Sequence, residues 1–267
     1  MDFAKGHGTG NDFVILPDPD GRLTLTSALV ATLCDRRFGI GGDGVLRVVR
    51  DGGDWFMDYW NADGSLAEMC GNGVRVYARY LVDSGLAAPG RIRVRTRAGM
   101  VVAVVEPGAD IAVDMGLPKV YGESTATVSG RPFRGAAVDV GNPHLVCPVD
   151  SLSTLDLSVP PGYDDVFFPA GVNVEFLTPR STVDGADLHV AMRVYERGSG
   201  ETLSCGSGAV AVAAVALRDA GMETGAVAVD VPGGRLTVTF DGHTCWLAGP
   251  AVIVASGVLT GLPTARG

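Results

Sequence analysis

The feature that most limits the fold of this chain is an internal repeat. The turn Cys70–Gly73, with the sequence CGNG, reappears 135 residues later as CGSG at Cys205–Gly208, and a helix-like segment follows each turn. Two weaker echoes keep the same order at nearly the same offset: Gly10–Val14 with Gly141–Val146, and Gly42–Leu46 with Val172–Phe176. Three ordered echoes indicate that the chain is two versions of one α/β unit.

The repeat predicts two halves with a boundary near residues 115–120. We assign residues 1–117 to a first half, which carries Cys70, and residues 118–249 to a second half, which carries Cys205. A C-terminal tail of about residues 250–267 is then free to pack back on the first half. The two glycine turns are expected to face each other across a cleft between the halves.

Most of the sequence is typical of short strands between glycine-rich turns. Glycine makes up 38 of the 267 residues, about twice the usual ~7%. Alternating or β-branched runs predict strands at Ile92–Arg97, Val101–Val105, Leu188–Tyr195, Val227–Val231 and Leu236–Phe240. Two segments have helical patterns: Val74–Val82, with Arg75 and Arg79 opposite its apolar face, and Ala209–Leu217, which is apolar on every side and should be buried all round.

Composition excludes several classes of protein. The formal net charge of −9 argues against a nucleic-acid binder held by phosphate contacts. The longest aliphatic run, Ala209–Leu217, is far shorter than the ~20 residues that cross a bilayer. The first residues carry no basic stretch leading into an apolar segment, as a signal peptide would. We therefore expect a soluble cytoplasmic protein with no membrane or nucleic-acid partner.

The residues that usually hold metals or cofactors are sparse. The five cysteines are odd in number and form no C-x-x-C pair, so neither a disulfide framework nor a zinc site is expected. The four histidines are far apart in the sequence. Pyridoxal phosphate needs a Schiff-base lysine, and the chain has only Lys5 and Lys119. We expect neither a metal nor a cofactor.

The two cysteine turns are the best candidates for chemistry. A cysteine at a helix start lies at the positive end of the helix dipole, which lowers the thiol pKa from about 8.5. Glycines beside it let free backbone N–H groups approach a carboxylate. Two such turns on one cleft could place a sulfur on each side of an α-carbon. Cys34, Cys147 and Cys245 lack the turn, and we interpret them as buried apolar groups.

Seven segments, in order, resemble the diaminopimelate epimerase family. They are Lys5–Phe13, Asn61–Ser65, Met69–Gly73, Gly141–His144, Gly171–Val174, Tyr195–Thr202 and Ser204–Gly208. The resemblance implies an α/β (α+β) fold of two pseudo-symmetric halves, each a β-barrel-like sheet around a central helix, with the active site in the cleft between them. It also implies a homodimer and the pyridoxal-independent interconversion of LL- and meso-diaminopimelate, in lysine and peptidoglycan precursor biosynthesis.

The resemblance also implies roles for individual residues. Cys70 and Cys205 are the two acid–base groups, with His144 and Glu196 as further catalytic residues. Glu196 would receive an ammonium group and Arg197 would grip the distal carboxylate, for which its planar fork is suited. The remaining residues implied to bind substrate are Asn11, Asn61, Gly71, Asn72, Asn142, Asn173, Gly206 and Ser207. His144 either tunes the cysteines or satisfies a buried backbone carbonyl.

One departure and several alternatives remain open at this point. The family commonly carries Gln where this chain has Gly44, so an amide contact to substrate is missing or replaced. A two-cysteine proline or hydroxyproline racemase is the nearest alternative, but its substrate would leave Glu196 and Arg197 little to bind. A thiol redox protein using Cys70 and Cys205, or a binding protein of the same fold, is the other alternative.

Overall fold

The structure is a computed structural model that describes residues 1–261. It divides into two compact units: residues 1–113 together with residues 249–261, and residues 114–248. The last part of the predicted tail, residues 262–267, lies outside the described residues. No helix within residues 1–261 is long and apolar enough to cross a membrane.

The first unit is a sheet with a helix packed on it. Its elements are β1 (Asp2–Gly8), β2 (Asn11–Pro17), α1 (Ser27–Cys34), β3 (Gly44–Asp51), β4 (Asp54–Asn61), α2 (Gly71–Asp83), β5 (Gly90–Thr96), β6 (Gly99–Val105), β7 (Ile111–Asp114) and, from the C-terminal segment, β17 (Val252–Val258). Successive pairs from β1 to β7 are antiparallel, parallel, antiparallel, parallel, antiparallel and antiparallel. β17 adds to the other edge of β1, antiparallel to it.

The second unit repeats this arrangement. Its elements are β8 (Lys119–Val128), β9 (Arg131–Asp139), β10 (Pro143–Pro148), a 3₁₀ turn (Leu152–Thr154), β11 (Asn173–Pro179), β12 (Leu188–Glu196), β13 (Gly200–Thr202), α3 (Gly206–Asp219), β14 (Gly225–Val231), β15 (Gly234–Phe240) and β16 (Cys245–Gly249). The chain of pairs β9–β10–β11–β12–β14–β15–β16 has the same order of antiparallel and parallel contacts as β1–β7. β8 lies beside β9 as β17 lies beside β1. The predicted mixed fold of two repeated halves is confirmed.

Both repeat helices lie where the sequence predicts them, and each is capped by a cysteine. Cys70 and Cys205 have extended backbones and precede α2 and α3 as N-cap residues. Residues Ala209–Ala213 of α3 are all fully buried, which confirms the prediction of a central helix. Arg75, predicted on the side of α2 opposite the apolar residues, has a fully buried side chain.

The sequence patterns missed one helix, α1. It has eight residues, and Thr26 caps it by accepting a hydrogen bond from the backbone N–H of Leu29 at 3.2 Å. The segment is short and nearly uniformly apolar, so no polar stripe marks a helical period. Its buried side chains, Val30, Leu33 and Cys34, join a local apolar cluster with β2 and β3.

Candidate active site

In the first unit, two amides surround the Cys70 thiol. The Cys70 Sγ accepts from the backbone N–H of Gly73 at 3.4 Å and donates to Asn11 Oδ1 at 3.6 Å. The same Asn11 oxygen accepts from Asn72 Nδ2 at 3.3 Å. Gly71 and Asn72 open α2 and are buried. The helix start, with N–H groups that have no partner inside the helix, therefore lies beside a sulfur held by a side-chain amide.

Asn11 is itself fixed from its other side. Its Nδ2 donates to Asp43 Oδ2 at 2.8 Å, and Arg36 bridges Asp43 to Asp12. Lys5 pairs with Asp12 at 2.6 Å. Burial raises the pKa of Asp12, but hydrogen bonds and charges from Arg36 and Lys5 outweigh burial and hold that pKa well below its ordinary value. The ionic cluster orients the Asn11 amide so that its oxygen faces Cys70.

Two further positions of the first unit bear on the predicted site. Asn61 ends β4, and its Nδ2 donates to Ser65 Oγ at 3.0 Å across the following turn, so it holds a loop rather than the Cys70 amides. A Cβ atom on Gly44 would lie 2.4 Å from the carbonyl oxygen of Trp60 and 2.8 Å from the Tyr59 ring. The close approach of β4 therefore leaves no room for a side chain at Gly44.

In the second unit, Cys205 is buried among carboxylates. Its Sγ accepts from the Gly208 N–H at 3.3 Å and lies 3.5 Å from Ser207 Oγ. Burial raises the pKa of Cys205 well above its ordinary value, and the charges of Glu196 and Glu175 raise it further. The hydrogen bonds from Ser207 and Gly208 lower it by less. The predicted lowering by the helix start is therefore wrong for Cys205, because desolvation exceeds the effect of the helix end.

A buried His–Glu pair lies under the start of α3. His144 and Glu175 are both fully buried, and His144 Nδ1 lies 2.7 Å from Glu175 Oε1, within hydrogen-bond distance. His144 Nε2 lies 3.0 Å from Asn142 Oδ1. Both ring nitrogens thus face side chains, and the expectation of a backbone-carbonyl partner is wrong. A Cβ on Gly208 would come within 2.7 Å of Glu175 Oε1, so the glycine lets this carboxylate lie against the helix.

Glu175 is a buried residue of this site that the sequence patterns did not single out. Its signal is a charged residue between the apolar residues Val174 and Phe176, since a charge is costly to bury without a partner. Its Oε2 atom is buried, with no hydrogen-bond partner among residues 1–261.

Glu196 is half-buried at the end of β12. Burial raises its pKa; hydrogen bonds from Thr202 and Cys205 oppose that rise, as does the charge of His144, whereas Glu175 adds to it. The Cys205 thiol is therefore in hydrogen-bonding contact with a carboxyl group, in contrast to Cys70, whose thiol donates to an amide oxygen.

Arg197 follows Glu196 and is exposed. Its backbone N–H donates to Asn173 Oδ1 at 2.9 Å, and its Nη1 donates to the Ala170 carbonyl at 2.5 Å. Asn173 is buried and also donates to the Pro143 carbonyl at 3.3 Å, so its amide joins two backbone segments. Arg197 lines a cavity of about 220 Å³ together with Tyr163 and Tyr195.

The predicted site residues thus fall into two groups of contacts, one in each unit. Asn11, Gly71 and Asn72 gather around Cys70, and Gly206, Ser207 and Glu196 around Cys205. His144 and Asn142 are one contact further away, through Glu175. The remaining cysteines are buried, as predicted, and burial raises their pKa to about 11 for Cys34 and about 12 for Cys147 and Cys245. Within the described part of the chain, no three His, Cys, Asp or Glu side chains form a group that could hold a metal ion.

Comparison with known proteins identifies the family of the chain. The family model for diaminopimelate epimerase matches residues 3–121 and 136–254. A diaminopimelate epimerase from Rhodococcus opacus is 51% identical, and one from Mycobacterium tuberculosis is 52% identical; each alignment covers 97% of this chain and 97% of the relative.

Solved structures share the fold at low sequence identity. A phenazine biosynthesis protein of the PhzF family from Bacillus anthracis superposes with a TM-score of 0.72 and 18% identity, over 97% of this chain and 99% of that one. A hydroxyproline epimerase from Agrobacterium vitis gives 0.63 and 16%, over 96% and 91%. These structures therefore show the fold alone, whereas the diaminopimelate epimerases match at above 50% identity over nearly the whole length. This chain belongs to the diaminopimelate epimerase family, a family of isomerases.

Proposed function

We propose that Cys70 and Cys205 are the acid–base pair with which this member of the family interconverts LL- and meso-diaminopimelate. The observation that carries the proposal is that each repeat unit has a cysteine at the N-cap of its buried helix, and that the two cysteines occupy equivalent positions of the repeat. Inversion of a carbon centre needs a base on one face and an acid on the other, and the roles exchange in the reverse direction. One cysteine per repeat supplies that pair.

The reaction removes one proton from the α-carbon and adds one proton to its opposite face. The thiolate of one cysteine takes the α-proton and becomes a thiol, which leaves a carbanion on the α-carbon. The thiol of the other cysteine then donates its proton to the opposite face and becomes a thiolate. The raised pKa of Cys205 favours its thiol form, so we assign Cys205 the donor role in the resting enzyme and Cys70 the role of first base.

The carbanion is stabilised by charge held close to its carboxylate. We assign this task to the backbone N–H groups of Gly71 and Asn72 at the start of α2, and of Gly206 and Ser207 at the start of α3. Donors that are already fixed in place stabilise developing charge without reorganisation. The glycines in both turns allow the backbone to approach the ligand closely.

The distal end of the substrate is assigned to Glu196 and Arg197. Glu196 receives the ammonium group, and the Arg197 guanidinium pairs with the second carboxylate in a bidentate contact. Asn11, Asn61, Asn142 and Asn173 complete the proposed polar shell, and His144 acts on Cys205 through Glu175. The exposed side chain of Arg197 at the rim of a cavity is consistent with a group that meets a ligand.

We further propose, from the family alone, that the protein works as a cytoplasmic homodimer without metal or pyridoxal cofactor. Its product would serve lysine and peptidoglycan precursor biosynthesis. Size-exclusion chromatography with light scattering tests the dimer, and turnover after chelation tests the absence of a metal.

Incubation with LL-diaminopimelate in D₂O tests the two-cysteine proposal. The wild-type protein is expected to produce the meso isomer with deuterium at the inverted carbon. Cys70→Ala and Cys205→Ala should each abolish inversion, and a single variant can still exchange the α-proton of one stereoisomer. Cys147→Ala, which removes a buried cysteine outside the turns, is the matched control and should retain activity. Full turnover by either turn variant would refute the pairing.

A further inference from the structure

We infer that Arg75 is a positioning residue for Cys70. Its buried guanidinium fixes the Asn72 amide and, through it, the Asn11 amide that contacts the thiol, and its positive charge favours the thiolate form of that cysteine. The inference rests on the proposed catalytic role of Cys70 and adds a residue that acts through the neighbours of Cys70.

The hydrogen-bond path from Arg75 to the sulfur is continuous. Arg75 Nη2 donates to Asn72 Oδ1 at 2.9 Å, which leaves Asn72 Nδ2 directed at Asn11 Oδ1, 3.3 Å away. The same Asn11 oxygen accepts from Cys70 Sγ at 3.6 Å. Arg75 thereby sets which end of the Asn72 amide faces Asn11, and through it the position of the oxygen that accepts from the thiol. That hydrogen bond favours the thiol form, so the thiolate form is favoured by the charge of Arg75 alone. Arg75 Nη2 also donates to Thr9 Oγ1 at 3.4 Å.

The charge of Arg75 is unusually poorly compensated. The side chain is fully buried, and its Nε and Nη1 atoms have no hydrogen-bond partner among residues 1–261. Burial lowers the pKa of Arg75 to about 10, and the negative charges of Cys70 and Asp110 oppose that lowering. The guanidinium thus remains charged at neutral pH. A buried cation gains most from a nearby anion, and the Cys70 thiolate is such an anion.

The elements packed against α2 bring few other charges to Arg75. On β1, Gly6 and Gly8 face the helix, and a Cβ on Gly8 would lie 3.1 Å from Arg75 Nη2. Lys5 and His7 alternate with these glycines and point to the other face of the strand. Phe13 of β2 and Leu46 of β3 approach the start of α2 beside Gly73. The buried side chains of β5 and β6 are uncharged: Ile92, Val94, Thr96, Ala103 and Val105. Asp12 of β2 is charged, and its carboxylate pairs with Lys5 and Arg36. Asp110, in the loop before β7, is the second charge that acts on Arg75.

The second unit has no counterpart of this arginine. The repeat offset of 135 places Val210 at the equivalent position of α3, and Val210 is buried in the apolar core. Cys205 instead lies near Glu196 and Glu175. The cation near one cysteine and the carboxylates near the other therefore favour opposite protonation states of the two thiols.

The test measures the thiol directly, on the full chain without substrate. Wild type, Arg75→Met and Arg75→Lys are alkylated with iodoacetamide across a range of pH, and mass spectrometry quantifies the Cys70 and Cys205 peptides separately. Arg79→Met, which removes a half-exposed arginine from the same helix, is the matched control. Initial rates of epimerisation are measured in parallel.

We expect Arg75→Met to move the midpoint of Cys70 alkylation upward by about one pH unit. This corresponds to about tenfold slower labelling below the midpoint. Arg75→Lys should keep the midpoint near wild type, because it keeps the charge, yet lower kcat/KM, because an ammonium group does not reproduce the fork. Arg79→Met should match wild type, and the Cys205 profile should stay unchanged in every variant.

An unchanged Cys70 profile in a folded Arg75→Met protein would overturn the inference and leave Arg75 a packing residue. If Arg75→Met does not fold, Arg75→Gln keeps an amide donor for Asn72 without the charge and carries the same comparison. The alkylation profile does not depend on turnover. A failure of the two-cysteine proposal would instead appear as activity in Cys70→Ala, so the two failures are distinguishable.

Discussion

We expect the buried pair His144 and Glu175 to be replaceable by phenylalanine and leucine. These are the residues, Phe13 and Leu46, that the first unit has at the equivalent positions. Phe13 pairs in register with Gly44, and Leu46 follows two residues later on β3. In the second unit, His144 pairs with Asn173, and Glu175 follows two residues later on β11. The strand register thus makes Glu175, rather than Phe176 as in the sequence echo, the equivalent of Leu46. A Cβ on Gly73 of α2 would contact both Leu46 and Phe13 at 3.5 Å. The double variant His144→Phe/Glu175→Leu therefore copies a packing that this fold already contains.

The two single variants should be worse than the double variant. His144→Phe leaves the buried Glu175 carboxylate without its one partner, since its Oε2 already has none among residues 1–261. Leaving a buried polar group without its hydrogen-bond partner costs about 1–3 kcal/mol of unfolding free energy, and more for a charged group. Glu175→Leu leaves an imidazole N–H unpaired, at a cost of about 1–3 kcal/mol. Replacing both partners by apolar groups is often neutral, so we expect the double variant within about 1 kcal/mol of wild type.

Urea unfolding measures the unfolding free energy of the wild type, the two single variants and the double variant. In a Trp55→Phe/Trp60→Phe background, fluorescence reports Trp246, the tryptophan of the second unit. The control Glu123→Ala removes an exposed ion pair with Arg134, which is worth about 0–1 kcal/mol. A double variant as unstable as the sum of its singles would refute the equivalence of the two packings. A stable double variant with lost epimerase activity would show that the pair serves catalysis rather than folding.

Three further outcomes are expected. Arg197→Ala should lose about 1.5–3 kcal/mol of transition-state binding, measured as kcat/KM for diaminopimelate, with partial rescue by Arg197→Lys; an equal loss with an amino acid lacking the second carboxylate would contradict the distal role. Gly44→Ala should lower the unfolding free energy by about 1–3 kcal/mol, because its Cβ would lie 2.4 Å from the Trp60 carbonyl; unchanged urea unfolding would contradict this. The pKa of Asp12 is lowered in the folded state, so its stabilisation is fully present above about pH 3.9 and is lost as pH falls through the folded value. Asp12→Asn should therefore flatten the acid side of the stability profile, and an unchanged acid side would contradict the ionic cluster.

The sequence predicts the fold well where one physical signal dominates. Ala209–Leu217 is apolar on every side, which only a helix at the centre of a core can satisfy, and α3 is such a helix. The CGNG and CGSG turns predict both helix starts, because a short side chain at the N-cap can accept a backbone N–H, as Cys70 and Cys205 do. Both signals lie within a short stretch of sequence, and the turn before the helix occurs in both units because of the repeat.

Charged residues inside the core are where the sequence patterns fail. Helical spacing places Arg75 opposite the apolar face of α2, yet it is buried because Gly8 on β1 has no side chain and leaves room for the guanidinium. Glu175 lies in a strand that otherwise looks like core, and its partner His144 is 31 residues away. Such pairs depend on contacts between distant segments, which periodicity does not report.

The residues that differ between the two repeat units give Cys70 and Cys205 different surroundings. A strict repeat would give both cysteines one environment, and two identical thiols would carry the same proton occupancy. A base and an acid that act together need opposite occupancies at the start of turnover. Arg75 in place of Val210, and Glu175 in place of Leu46, both shift the balance in that direction: toward a thiolate at Cys70 and a thiol at Cys205. Replacing Arg75 alone should therefore reduce the difference in proton occupancy between the Cys70 and Cys205 thiols without altering the fold.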